Sequence, residues 1–108
     1  MKTSNFFVYK GGSGISIARS TPRGWTGATY WKLAPPWKLI ADYKQDGDKA
    51  KYTEGYYKLV LDKLDPNEVY AELKDKVLLC WESPGDFCHR RLVAEWLEKN
   101  LSIEVPEL

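Results

Sequence analysis

Both cysteines of the chain, its one histidine and an arginine pair fall within residues 80–91, Cys-Trp-Glu-Ser-Pro-Gly-Asp-Phe-Cys-His-Arg-Arg. These residue types do chemistry. A thiolate attacks electrophiles or ligates a metal, an imidazole moves protons near neutral pH, and a guanidinium clamps an oxyanion. The apolar run Val77-Leu78-Leu79 precedes the stretch, and the periodic residues Leu92, Val93, Trp96 and Leu97 follow it. The pattern reads as strand, loop, helix. A helix start exposes unpaired N–H groups and a partial positive charge, which suits an anion. Open α/β sheets hold ligands at such turns.

Two helix starts fit. Ser83 with Asp86 three residues on matches a capping box, with Pro84 at the first position. Alternatively Asp86 caps a helix beginning at Phe87. That choice puts Cys88 in the first turn, where the dipole lowers a thiol pKa. Cys88 is open to three readings: an active thiolate, a small packing residue beside a ligand, or a metal ligand. Cys80 reads mostly as core. Cys80, Cys88 and His89 can supply three zinc ligands, but a typical fourth is absent and the cysteine spacing misses the common structural pattern. No metal and no cofactor is therefore expected. His89 either locks the loop by hydrogen bonds or acts as acid and base. Arg90 bridges a carboxylate such as Glu82 or binds a ligand phosphate. Glu82 is a base, an orienting partner for His89, or half of an ion pair. Arg91, four residues before Glu95, reads as half of a surface ion pair.

The elements that position these groups follow from periodicity. Residues 6–9 are a short β-like run. Ile15-Ser16-Ile17-Ala18 suits a strand ending at a loop with Arg19, Pro22, Arg23, Gly24 and Trp25. Pro35-Pro36 opens a short helix over residues 37–43, with Trp37, Ile40 and Ala41 inward. Residues 45–48 are a turn. A helix over residues 49–64 places Tyr52, Tyr56, Leu59 and Val60 on one stripe, and Gly55 weakens it by about 1 kcal/mol. Asp65 caps a further short helix with Pro66 at its first position and Val69 and Leu73 inward. Residues 77–81 form a strand with a continuous apolar run, central and buried on both faces. The last helix runs to about residue 100, and residues 102–105 suit a final edge strand. The sum is a single α/β domain over residues 1–108. It is a small parallel or mixed sheet flanked by helices, a three-layer or two-layer sandwich.

Composition narrows the partners. The 108 residues carry a net charge of +1, but residues 1–44 hold a net +6 and residues 45–108 a net −5. A basic first half can focus an anion, although no block is dense enough to claim nucleic acid by itself. Five Trp, seven Tyr and three Phe exceed what so small a core needs, so some rings are expected to wall a cleft. No apolar run reaches membrane-span length, no signal peptide is read at the N-terminus, and two cysteines make no disulfide scaffold. A reduced, cytoplasmic protein is expected.

Leu78-Leu79-Cys80-Trp81-Glu82 followed by Phe87-Cys88-His89-Arg90-Arg91 resembles the uncharacterised α/β family catalogued as domain of unknown function 488. Its signature has an apolar strand ending in Cys-x-Glu and a Cys-His-Arg at the next helix start. Ile17-Ala18-Arg19-Ser20-Thr21-Pro22 and Tyr30, Leu33 and Pro35 extend the likeness over residues 5–100. The resemblance implies an α/β sandwich with Arg19, Cys80, Glu82, Cys88, His89 and Arg90 meeting at one end of the sheet. It implies no activity.

The function expected is binding of a small phosphorylated or nucleotide-like anion, with enzymatic processing of it left open. Cys88 is the candidate nucleophile, His89 the acid–base group, and Glu82 a third catalytic candidate. Arg19, Arg23 and Arg90 would bind charge, and Trp25, Tyr30, Trp37 and Trp81 would stack on a ring. Residues 11–14 are not a Walker loop, and the cysteine–arginine spacing is not a phosphatase loop. The alternative is a non-catalytic adaptor for nucleic acid or protein.

Overall fold

The computed structural model describes residues 1–83 and 86–108. Pro84 and Gly85 fall outside the described residues, and with them Pro84's expected place in a first helical turn. Three parallel strands form the sheet: β1 (Lys2–Asn5), β2 (Gly14–Ser16) and β3 (Val77–Cys80), in the order β1-β3-β2. Leu78 sits opposite both Thr3 and Ile15 in register. All four residues of β3 are buried, as its unbroken apolar run requires of a central strand.

Among the described residues four α-helices occur, in chain order α1 (Trp37–Asp46), α2 (Lys49–Leu59), α3 (Pro66–Leu73) and α4 (His89–Leu101). Leu78 points into the larger core, among Tyr56, Val69, Leu73, Val93 and Leu97. Val77 and Leu79 point into a smaller one with Phe6, Ala18, Tyr9 and Trp25. Helices thus cover one face, and the connections after β1 and β2 cover the other with aromatic rings. The fold is a small α/β domain, as expected.

Several elements differ from expectation. The first strand is the polar Lys2–Asn5, not residues 6–9. Asn5 explains the shift: its Oδ1 accepts the N–H groups of Phe7 at 2.9 Å and Val8 at 2.8 Å, so the chain turns at once. Phe7 and Val8 are left exposed. No strand forms at residues 102–105. Ser102 takes a left-handed conformation with φ 55°, and a single bridge, Thr3 to Glu107, replaces the expected edge. In α1 the buried residue is Leu39, while Trp37 and Ala41 face outward.

The residue 49–64 helix breaks at Val60 into a 3-10 turn (Leu61–Lys63), which leaves Leu59 exposed. Gly55 earns its place by packing. A Cβ there would come within 2.7 Å of Leu39 Cδ1, so the glycine lets α1 and α2 cross closely. Asp65 caps α3 by accepting the Asn67 N–H at 2.9 Å, with Pro66 at the first position.

Tyr56 connects the core to the site. Its ring is fully buried and its hydroxyl donates to the Leu33 carbonyl at 2.6 Å. This pins the 3-10 turn (Trp31–Leu33) that leads into Pro35. Tyr56→Phe strands that carbonyl and is expected to cost about 1–3 kcal/mol. Urea denaturation checks this, and an unchanged midpoint contradicts it.

Candidate functional site

A cleft of about 610 Å³ opens at the carboxyl ends of β2 and β3, against α1 and the start of α4. That volume is within the range of small-molecule sites. Cys80, Cys88 and His89 form its buried inner wall, with Glu82 beside them. Arg19, Trp37 and Trp81 line it from the loop after β2, from α1 and from the turn after β3. Of the ten residues proposed from sequence for catalysis or substrate binding, six therefore share one cavity: Cys88, His89, Glu82, Arg19, Trp37 and Trp81.

Cys88 stands at the boundary of α4, not inside it. Its backbone is extended (φ −151°, ψ 146°) and its side chain makes no capping bond. Both expected helix starts, at Ser83 and at Asp86, give way to a helix whose first residue is His89. The Cys88 sulfur is joined to Cys80 in a disulfide, with Cα atoms 7.5 Å apart.

His89 is buried, and its Nε2 lies 2.8 Å from the Ile17 carbonyl oxygen. A carbonyl only accepts, so Nε2 carries the proton and donates it. Nδ1 is then a bare lone pair, 3.7 Å from Cys88 Sγ. Burial pushes the imidazole pKa down to about 4; the Ile17 hydrogen bond opposes this and the Arg90 charge adds to it. The ring is neutral at pH 7. Bonded to Cys80, the Cys88 sulfur carries no proton for His89 to take. With Nε2 tied to Ile17, the neutral His89 offers Nδ1 to the cleft side as a lone-pair donor.

Arg90 is wholly buried and does not reach the cleft. All five guanidinium protons have acceptors. Nε and Nη2 donate to the Glu107 carboxylate, the latter at 2.7 Å. Nη1 donates to the Glu82 carbonyl at 2.9 Å and to Cys80 Sγ at 3.0 Å, and Nη2 also meets the Ser83 carbonyl at 3.4 Å. Of the two readings open from sequence, a carboxylate bridge fits, but the carboxylate is that of Glu107, not Glu82. Arg90 thus fixes where β3 ends and where Glu82 begins. Asn5 helps from the other side: its Nδ2 donates to the same Glu82 carbonyl at 3.1 Å. Arg91 turns away from Glu95 and donates to Thr3 Oγ1 and the Val105 carbonyl.

Arg19 is half-buried at the cleft wall. It donates from Nε to the Pro35 carbonyl at 2.9 Å and from Nη2 to that of Ala34 at 3.2 Å, with its guanidinium 5.8 Å over the Trp31 ring. The backbone bonds hold the charge in place. Trp81 is anchored by its indole N–H to the Ser20 carbonyl at 3.0 Å, and its ring packs on Phe6. The remaining candidates lie elsewhere. Arg23 is exposed in the loop after β2. Trp25 packs edge-on against Phe6 in the smaller core. Tyr30 donates its hydroxyl to Glu72 Oε1 at 2.8 Å; burial and then Glu72 raise its pKa.

The cleft also holds residues not proposed for it from sequence: Lys44, Tyr43, Tyr52 and Phe87. Tyr52 lies on an apolar helical stripe, and that pattern is the same for a core ring and for a ring whose edge reaches a cavity. Lys44 sits in the last turn of α1 and had no signal beyond its charge.

The family model DUF488-N3a, described as the active DUF488-N3 subclade, matches residues 6–101. The chain belongs to the DUF488 family. No curated protein and no solved structure matches the chain. Every cleft residue named above lies inside the DUF488 match, whereas Glu107, which anchors Arg90, lies outside it. DUF488 is a family of unknown function, so membership fixes no reaction. Among the described residues no helix is long and apolar enough to cross a membrane.

Proposed function

We propose that this DUF488 domain binds a small phosphorylated or nucleotide-like anion in the cleft and processes it when the Cys80–Cys88 disulfide is reduced, as in a reducing compartment such as the cytoplasm. The observation that carries this reading is the convergence of Arg19 and Lys44 with Trp37, Trp81 and the Cys80-Glu82-Cys88-His89 wall in one cavity of nucleotide size. Arg19 and Lys44 supply the charge. The exposed rings of Trp37 and Trp81 supply flat apolar surface for a base or sugar face. Processing falls to Cys88 and His89 at the buried inner wall, once the Cys80–Cys88 disulfide is reduced, and to Glu82 at its exposed rim.

Calorimetric titration with nucleoside monophosphates and diphosphates tests this. Arg19→Ala is expected to weaken binding about 10- to 150-fold, the equivalent of one charge-assisted hydrogen bond of roughly 1.5–3 kcal/mol. The opposite result is absence of small-anion binding together with strongly salt-dependent capture of single-stranded nucleic acid. If charge reversal at Lys10, Arg23, Lys32 and Lys38 abolished that capture, the domain would be an adaptor.

A further inference from the structure

Three soft ligand atoms meet at the inner wall of the cleft. Sγ of Cys80, Sγ of Cys88 and a ring nitrogen of His89 all lie within 4.8 Å of one another. Structural zinc sites close with four protein ligands, but catalytic ones use three and leave the fourth position open. The missing fourth ligand therefore does not exclude this site; it defines which kind it would be.

We propose that reduced Cys80 and Cys88, with His89 Nδ1, form a three-ligand site for Zn²⁺ or a similar divalent ion, open to the cleft beside Glu82. Four observations support it. First, zinc bonds of about 2.3 Å to sulfur and about 2.0–2.1 Å to nitrogen set a tetrahedral S···N edge near 3.6 Å. Cys88 Sγ and His89 Nδ1 already stand 3.7 Å apart. Second, the proton on His89 Nε2 is held by the Ile17 carbonyl at 2.8 Å. That bond leaves Nδ1 as the ligand and fixes the ring plane, which is what an outer hydrogen bond does for metal-bound histidines. Third, the Cys80 and Cys88 Cα atoms are 7.5 Å apart. Ordinary disulfides span about 4.4–6.8 Å, so the backbone spacing better fits two thiolates sharing an ion. Fourth, Arg90 Nη1 donates to Cys80 Sγ at 3.0 Å. A disulfide sulfur accepts weakly, whereas a thiolate is a strong partner for a charged donor.

The chemistry balances simply. A dithiol reductant gives two electrons and two protons to the Cys80–Cys88 bond and leaves as its own cyclic disulfide. Zn²⁺ then replaces the two thiol protons, which pass to water. Glu82 Oε2, 3.5 Å from Cys80 Sγ, stands next to the open position. It is placed to take a proton from a metal-bound water. Cys88 in this state is a ligand and not the nucleophile.

Cobalt substitution tests the site directly. The reduced, metal-free chain, shown folded by circular dichroism, is titrated with Co²⁺ and then with Zn²⁺. One equivalent of Co²⁺ is expected to give the strong visible bands of tetrahedral cobalt with a thiolate charge-transfer band, and Zn²⁺ to bleach both. Cys88→Ser and His89→Gln are each expected to weaken Co²⁺ binding by at least about 100-fold, beyond the loss usual for an outer-shell change. A folded wild-type chain that shows no such bands overturns the proposal, as does full affinity in both variants. No anion is present in the titration, so this result and the anion reading stand or fall separately.

Discussion

Glu107→Ala is expected to cost about 3–5 kcal/mol, because it leaves the Arg90 guanidinium buried without its carboxylate. Arg90 is 0% exposed and Glu107 21%, so water cannot replace the lost acceptor at little cost. A domain of this size holds only about 5–15 kcal/mol in total. The melting temperature is therefore expected to fall by roughly 12 °C or more. A shift of only one or two degrees would mean that the pair contributes little.

The same pair sets an acid limb. Burial pushes the Glu107 carboxyl up, but hydrogen bonds from Arg90 and Thr3 and the charges of Arg90 and Arg91 outweigh it, holding the group below its usual range. A depressed folded pKa gives stability that is complete above the unfolded value, about 4.3, and is lost as pH falls through the folded one. The stability difference between wild type and Glu107→Gln is thus expected to be largest at neutral pH and to shrink in acid. A difference that grows in acid contradicts the assignment.

Asn5→Ala is the second large effect, at about 2–4 kcal/mol. Asn5 is 2% exposed and its side chain makes three bonds: it accepts from Phe7 and Val8 and donates to the Glu82 carbonyl. Each is worth roughly 0.5–1.5 kcal/mol, and the stranded N–H groups add to the loss. The change also releases one of the two donors that fix Glu82. Asn5→Asp separates the two roles. It keeps the turn but loses the donor, so stability is expected to recover in part while ligand affinity stays reduced. Equal stability in wild type and Asn5→Ala would show that the turn forms without its side chain.

Much of this architecture is readable in the sequence where one physical signal dominates. The unbroken apolar run of β3 could only be a central strand. Asp65-Pro66 marks the start of α3 by chemistry that few other pairs provide. Leu92, Val93, Trp96 and Leu97 repeat at helical spacing and are all buried in α4. The misses have a common cause, which is that tertiary partners override local pattern. Lys2–Asn5 is a strand despite its polarity because β3 offers it a full ladder. Residues 6–9 look like a strand, but Asn5 turns the chain first.

The site divides in the same way. Residues 80–91 stand out by composition, and the chain does bring Arg19 to them. What sequence could not show is that Arg90, the most ligand-like cation of the motif, is withdrawn into the protein by a carboxylate seventeen residues away. Nor could it show that His89 would be held neutral by burial. Tyr52 and Lys44 carried no local mark of their place in the cleft.

The central claim is that a small anion enters the cavity bounded by Arg19, Lys44, Trp37, Trp81 and the start of α4. Amide NMR mapping during titration with a nucleoside monophosphate reads this residue by residue. Saturable shifts confined to the amides of Ala18, Arg19, Ser20, Lys44, Glu82 and His89 are the predicted result. Shifts centred on Lys10, Arg23, Lys32 and Lys38, or no saturable shift at any residue, would contradict it.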